Sequence, residues 1–300
     1  MKRFGIHHQA AVTLAAALLA VTLGACGGSS AAGGTPPPTP LPTPGGTSTM
    51  PAALQGEWQA GEASPIGYYD PSSGAWQGAT GSSFILKLHA DGTYAYTGLL
   101  AVGGGSCQSR ILSTERGNAT FSGTRMTFTP TEGDVQSTVC GGPVKHAPVT
   151  PSVRRWALSI DDDGKEALYT QTEDGSGSPT AFHRTDRPGT TFPRIGISGT
   201  VTAPAGHSVA GTLIVACYAE DPECTSPATK TRPVTGSGAF TFPALEDRPY
   251  LLSAIQDTNN NGVLDSGDLV DIYSTTDAPG PRPGVRPPAQ DVRMALVTVD

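Results

Sequence analysis

Phe84-Ile85-Leu86-Lys87-Leu88-His89-Ala90-Asp91-Gly92-Thr93-Tyr94-Ala95-Tyr96 is the stretch that decides the fold. Phe84, Leu86 and Leu88 fall on one face of a strand, with Lys87 and His89 on the other. Tyr94 and Tyr96 continue the alternation on a return strand. A two-residue period belongs to a half-buried strand, and Asp-Gly between two such runs marks a hairpin. The pattern recurs. Ala119 and Phe121 lead through Ser122-Gly123 to Met126 and Phe128. Trp156, Leu158 and Ile160 lead through Asp161-Asp162-Asp163-Gly164 to Ala167 and Tyr169. Residues 52–187 therefore read as an antiparallel meander of about eight to ten strands. Such a sheet must hide its edges, and a closed barrel does so most simply.

The rest of the chain agrees with an all-β fold class. Its 300 residues suit about two domains. There are 38 Gly and 27 Pro, and only 15% of residues are charged. That composition argues against a helical bundle, a coiled coil or a polytopic membrane protein, and fits short strands joined by turns. With 19 basic and 26 acidic residues and no basic block, nucleic acid is not an expected partner.

Leu54-Gln55-Gly56-Glu57-Trp58 opens the first region, 52–187. Its Gly-x-Trp resembles the opening of lipocalins and lipocalin-like bacterial domains. The resemblance implies a barrel in which Arg184, in Phe182-His183-Arg184, packs across Trp58 at the closed end. Arg on indole is a sound cation–π pair. It also implies a carrier that holds a small apolar ligand. All three tryptophans lie in this region. Its aromatics either line a cup or fill a core, and the sequence leaves both open. Tyr68, Tyr69 and Trp76 sit in a Gly/Ser-rich loop, 61–82, where aromatics are candidates for ligand binding or for plugging a barrel end.

After a short connection, residues 194–300 begin a second alternating series, expected to form six or seven strands of a β-sandwich. Leu213, Val215 and Cys217 share a face, Phe240 and Phe242 follow a Gly236-Ser237-Gly238 turn, and Tyr250, Leu252 and Ala254 alternate. Met294, Leu296 and Thr298 close the series. Gly199-Thr200-Val201, Ser237-Gly238-x-Phe240-x-Phe242 and Tyr250-x-Leu252-x-Ala254 resemble transthyretin-like (carboxypeptidase regulatory-like) domains. That resemblance implies an accessory or adhesion module.

Within it, Asp257-Thr258-Asn259-Asn260-Asn261-Gly262-Val263-Leu264-Asp265-Ser266-Gly267-Asp268 matches the calcium-loop pattern of EF-hands at positions 1, 3, 5, 6, 9 and 12. Asp257, Asn259 and Asn261 offer side-chain oxygens, Val263 its carbonyl, Asp265 the ninth position and Asp268 the twelfth. Hard oxygen donors suit Ca²⁺. Both flanks read as strands, so the expected role of the ion is to pin a loop. A metal-free Asn/Asp/Gly turn is the alternative. The acidic turn 161–164 is a weaker candidate for a cation, and more simply a solvated turn.

Lys2 and Arg3 precede an apolar run from Ala10 to Leu23, too short to span a bilayer and sized for a secretion signal. Leu23-Gly24-Ala25-Cys26 follows, and resembles the lipobox of bacterial lipoproteins. The resemblance implies a signal peptide over 1–25, removed after acyl chains such as palmitate are attached around Cys26. An ordinary cleaved signal with an incidental cysteine is the alternative. Cleavage takes the net charge from −7 to −9. Residues 26–51 are a Pro/Gly-rich tether, with six prolines between 35 and 44. In polyproline II they would reach up to about 70 Å; plain disorder would also serve.

Setting Cys26 aside leaves Cys107, Cys140, Cys217 and Cys224 in an oxidising compartment. Three connectivities exist. Cys107–Cys140 and Cys217–Cys224 are preferred, contributing about 4 and about 2.5 kcal/mol in the chain-entropy model.

No GxSxG, HExxH, Walker A or GxGxxG occurs in the sequence. The expectation is a lipid-anchored protein of the bacterial cell envelope, facing the periplasm or exterior. Its role is expected to be non-catalytic binding or structural work, stabilised by calcium. Its partners would be the membrane, through the lipid anchor, and a small apolar ligand or an envelope protein. A lipocalin-like carrier is the second reading, and an enzyme of unrecognised type the third.

Overall fold

The computed structural model of the chain describes residues 50–61, 69–70, 75–76, 81–104, 107–234, 236–273 and 284–299. The signal peptide, Cys26, nearly all of the tether and Tyr68 lie outside the described residues. No helix among the described residues is long and apolar enough to cross a membrane.

The first region holds β1 (Gly56–Gly61), β2 (Tyr69–Asp70), β3 (Ala75–Trp76), β4 (Gly81–Leu88), β5 (Thr93–Gly104) and β6 (Cys107–Ser122). It continues with β7 (Arg125–Thr138), β8 (Lys145–Ala147), β9 (Ser152–Ile160), β10 (Glu166–Thr172) and β11 (Thr180–Arg184). Eight of these run in the order β6-β5-β4-β1-β11-β10-β9-β7, and β7 pairs back onto β6. The result is a closed antiparallel barrel with no free edge, as the alternation requires. The three hairpins fall where the turns were read: β4–β5, β6–β7 and β9–β10. Gly92 has a φ of 85°, the left-handed conformation that glycine adopts without cost.

Register fixes which side chains face inward. Leu88 opposes Tyr94, Leu86 opposes Tyr96, and Tyr96 opposes Glu115. Met126 opposes Arg154, Trp156 opposes Thr170, and Leu168 opposes Phe182. Trp58, Leu86, Leu88, Tyr94, Met126, Phe128, Leu168 and Phe182 form the buried core of the barrel. The neighbouring face of β9 and β10 points out: Ala157 opposes Tyr169, and Ser159 opposes Ala167. The sequence reading places Ala167 and Tyr169 on the face continued from Trp156, Leu158 and Ile160; the register instead turns Leu168 and Thr170 that way, and Ala167, on the other face, has no exposure at all. The second region covers that other face, and Ala157 and Tyr169 pack on its core.

That region holds β12 (Ile195–Thr202), β13 (Leu213–Tyr218), β14 (Lys230–Pro233), β15 (Ala239–Leu245), β16 (Tyr250–Gln256), β17 (Leu269–Ile272), β18 (Ala289–Ala295) and β19 (Val297–Thr298). One sheet is ordered β15-β12-β18, the other β14-β13-β16-β17-β19. Ile197, Phe240, Phe242 and Met294 from the first meet Ile214, Ala216, Leu252 and Ala254 from the second in one core, as a sandwich demands. The face of β13 differs from the reading. Ile214 and Ala216 point into the core, while Leu213 and Val215 are only half-buried. Both faces of β13 are apolar, so alternation alone could not choose between them.

The seam between the two regions carries polar contacts as well as the apolar packing of Ala157 and Tyr169. Lys230 Nζ donates to the Ile160 carbonyl and to the Tyr169 hydroxyl, each at 2.6 Å. Tyr218 Oη donates to Glu246 Oε2 at 2.7 Å and lies 2.9 Å from Ser159 Oγ. Arg232 pairs with Asp162, and Arg194 with Asp163 at 3.7 Å. Asp161 accepts the amides of Asp163 and Lys165, each at 2.8 Å. The acidic turn 161–164 is solvated, with the Asp162 and Asp163 side chains 53% and 65% exposed, and through Arg232 and Arg194 it also touches the second region. Buried polar groups that are mutually hydrogen-bonded hold one relative orientation, because sliding would leave each of them unpaired.

Candidate functional site

The barrel is closed at one end. Trp58 has no exposure, and its Nε1 donates to the Leu54 carbonyl at 2.8 Å. The Arg184 guanidinium lies 4.1 Å from the ring centroid. Nη1 donates to the Gln55 carbonyl at 2.7 Å, Nη2 to the Ala53 carbonyl, and Nε to Glu166 at 3.3 Å. The segment before β1 therefore crosses beneath the barrel, with Leu54 and Met50 buried in its core. Trp58 and Arg184 meet as the sequence implied, since the register pairs them directly.

The other end differs. Tyr94, Met126, Phe128 and Leu168 have almost no exposure, yet Phe84, Tyr96, Glu115, Arg154 and Trp156 face inward and remain half-buried. Phe84, Tyr96 and Trp156 pack against the barrel core from this side. Tyr96 lies along the wall over Gly98, where a Cβ would come within 2.6 Å of its hydroxyl. Burial pushes the Tyr96 hydroxyl up to about 12, with Arg154 opposing and Glu115 adding to the rise. Burial also raises the Glu115 carboxyl, again against Arg154. Among the described residues, the Trp156 indole N–H and the Thr170 hydroxyl have no hydrogen-bond partner. Sequence reading missed Glu115 and Arg154. The signal was present: Arg154 shares the parity of Trp156, and Glu115 that of Ala119 and Phe121. Tyr69 and Trp76 are main-chain partners in the β2–β3 hairpin.

The loop 257–268 spans the gap between Gln256 and Leu269, which are themselves paired across β16 and β17. Asp257, 9% exposed, accepts the amides of Asn261 at 3.2 Å and Gly262 at 2.7 Å. Gly262 has a φ of 76°. Asn259 Oδ1 accepts the Asn261 amide at 3.0 Å, and Asn261 Oδ1 the Val263 amide at 2.8 Å. Both asparagine Nδ2 groups donate to Asp265, at 3.1 and 2.7 Å. Asp268 has no exposure. Its Oδ1 accepts Thr258 N at 2.8 Å and Thr258 Oγ1 at 3.0 Å, and its Oδ2 accepts Asp265 N at 2.9 Å.

This donor set is all oxygen, on alternate residues, in a loop already folded, which fits a hard divalent cation. Asp268 departs from the pattern. Oδ1 already accepts two hydrogen bonds, so a bidentate grip is not open to it. Among the described residues, no three His, Cys, Asp or Glu side chains gather closely enough to hold an ion. Any ion here would depend on the asparagine and main-chain oxygens as well.

Both preferred disulfides are present, Cys107–Cys140 with Cα atoms 4.2 Å apart and Cys217–Cys224 at 5.2 Å. Compared with protein-family models, with curated proteins and with solved structures, the chain matches none.

Proposed function

We propose that this is a lipid-anchored, non-catalytic binding protein of the bacterial cell envelope. The barrel is its binding cup, and the sandwich is a rigid support pinned by calcium. The observation that carries the reading is the asymmetry of the barrel. One end is sealed by Trp58 and Arg184, and the other is lined by half-buried aromatics. A small barrel sealed at one end can offer its other end to one small molecule. The lipocalin-like resemblance of residues 52–187 and the transthyretin-like resemblance of 194–300 support the same division of labour. The lipobox resemblance at Cys26, the signal over 1–25 and the tether over 26–51 supply the address. Two or more acyl chains hold a protein stably on a bilayer.

Mass spectrometry of the protein extracted from membranes tests this. The expected N-terminus is Cys26 carrying acyl chains, with a small molecule co-purifying. An intact leader from a soluble fraction overturns the anchor.

Calcium would be held by Asp257, Asn259, Asn261, the Val263 carbonyl and Asp265, with Asp268 behind them. It would supply only cross-linking of the loop. Adding calcium to the full mature chain is expected to raise the melting temperature of the sandwich, and Asp257→Ala to abolish that rise. Equal melting with calcium and with chelator would end the metal reading.

A further inference from the structure

The outer wall of the barrel carries a groove of about 480 Å³, lined by Lys87, His89, Thr93, Arg116, Asn118 and Thr131. The register builds it. Lys87 opposes Ala95 and Ala95 opposes Arg116, so a lone methyl separates two cations, rooted about 10 Å apart across three strands. His89 and Asn118 lie two residues further along the same outer faces, on either side of Thr93. The pairing of β6 with β7 shifts between Arg116 and Gly117, and a Cβ on Gly117 would come within 2.1 Å of the Thr129 carbonyl oxygen. Such a bulge bends the strand and re-aims the side chain beside it, which here is Arg116.

The lining is one-sided in charge. The chain has 26 acidic and 19 basic residues, yet among the described residues no carboxylate lines this groove. Glu57 and Glu132 oppose Lys87 and Arg116 from the flanking strands β1 and β7. Lys87 Nζ meets Glu57 Oε2 at 2.7 Å, which occupies one of its three donors. Arg116 reaches Glu132 only at 3.6 Å, beyond hydrogen-bond range, and its side chain is 74% exposed. Exposed pairs of this kind contribute little, so a better acceptor displaces them. Asp91, in the adjoining turn, accepts the Thr93 amide and hydroxyl at 2.9 and 2.7 Å. Lys87 and Arg116 therefore keep N–H donors for a third group between them. Two cations with an imidazole and a carboxamide beside them suit a tetrahedral oxyanion.

We propose that this groove binds a phosphate group, held between Lys87 and Arg116 with His89 and Asn118 beside it. The site lies outside the barrel and does not rest on the binding-cup reading. It sits at the plugged end, where Leu88 opposes Gly56 and Arg184 holds the Gln55 carbonyl. A phosphate there can belong to a lipid headgroup or to a free ester, and two probes separate these sources.

Glycerol 3-phosphate, titrated calorimetrically into the unacylated mature chain at low salt, is the free probe, with glycerol as its control. Vesicles of phosphatidylglycerol in phosphatidylcholine, read by co-sedimentation against phosphatidylcholine alone, are the headgroup probe. The wild type is expected to bind at least one phosphate probe and neither control. Lys87→Gln and Arg116→Gln are each expected to weaken that binding about fivefold. Arg293→Gln, which removes a cation from β18 of the sandwich, is expected to leave it unchanged. Unaltered circular dichroism spectra and melting temperatures show that the variants are folded. Binding of the free ester assigns the site to a soluble phosphate, and binding of vesicles alone assigns it to a headgroup. Failure of both probes overturns the site and leaves the cup untouched. Full binding by folded Lys87→Gln and Arg116→Gln, or an equal loss in Arg293→Gln, overturns the groove as the place where phosphate is held.

Discussion

Trp58→Ala is expected to cost the barrel about 4 kcal/mol, within the range for deleting a buried aromatic side chain. Several losses coincide at this position. The side chain has no exposure, so its removal leaves a cavity at the closed end. The Leu54 carbonyl loses its indole donor at 2.8 Å. Arg184, whose side chain is only 2% exposed, loses the ring it covers, a contact worth about 1–2 kcal/mol when desolvated. Trp58→Phe keeps most of the volume and is expected to lose only about 1–2 kcal/mol, through the missing indole hydrogen bond and the weaker ring. Urea unfolding followed by far-ultraviolet circular dichroism measures both. A loss below about 1 kcal/mol for Trp58→Ala would show that the barrel does not depend on this end.

Asp268→Ala is expected to destabilise the sandwich by about 3 kcal/mol, because two main-chain amides and a hydroxyl lose the buried carboxylate that accepts from them. Asp268→Asn keeps the shape but turns one acceptor into a donor, and should fall between. The effect depends on pH with a definite sign. Burial works against the Asp268 charge, but the amides of Asp265 and Thr258 outweigh it and hold the carboxyl below its usual range. A carboxyl lowered on folding contributes stability above its unfolded value, near pH 4, and loses it as pH falls through the lower folded value. Wild type and Asp268→Ala should therefore differ fully from pH 5 to 8 and converge in acid. Melting curves in chelator at pH 7 and pH 3 check this. A constant difference across that range would mean that the charge of Asp268 is not what closes the loop.

The barrel was legible because its strands alternate cleanly and its turns carry Asp-Gly or Ser-Gly. Trp58 and Arg184 were found through a resemblance, and the register then paired them. Three things were hidden. The outward burial of Ala157, Ser159, Ala167 and Tyr169 needs a second domain to cover them, and alternation cannot tell which side is covered. Lys230 reads as an ordinary surface lysine, and only the seam turns it inward against Ile160 and Tyr169. Arg154 reads as one of two adjacent arginines before Trp156; parity would have separated them, since Arg154 opposes Met126 and Arg155 opposes Arg125.

Met50, only 2% exposed, and Leu54 leave the chain's handle at the plugged end of the barrel. Traction arriving through residue 50 must first peel Ala53 and Gln55 away from Arg184, in a shear that runs under the plug. A pull on the chain at residue 50 is therefore met first by the plug and not by the strands of the barrel wall.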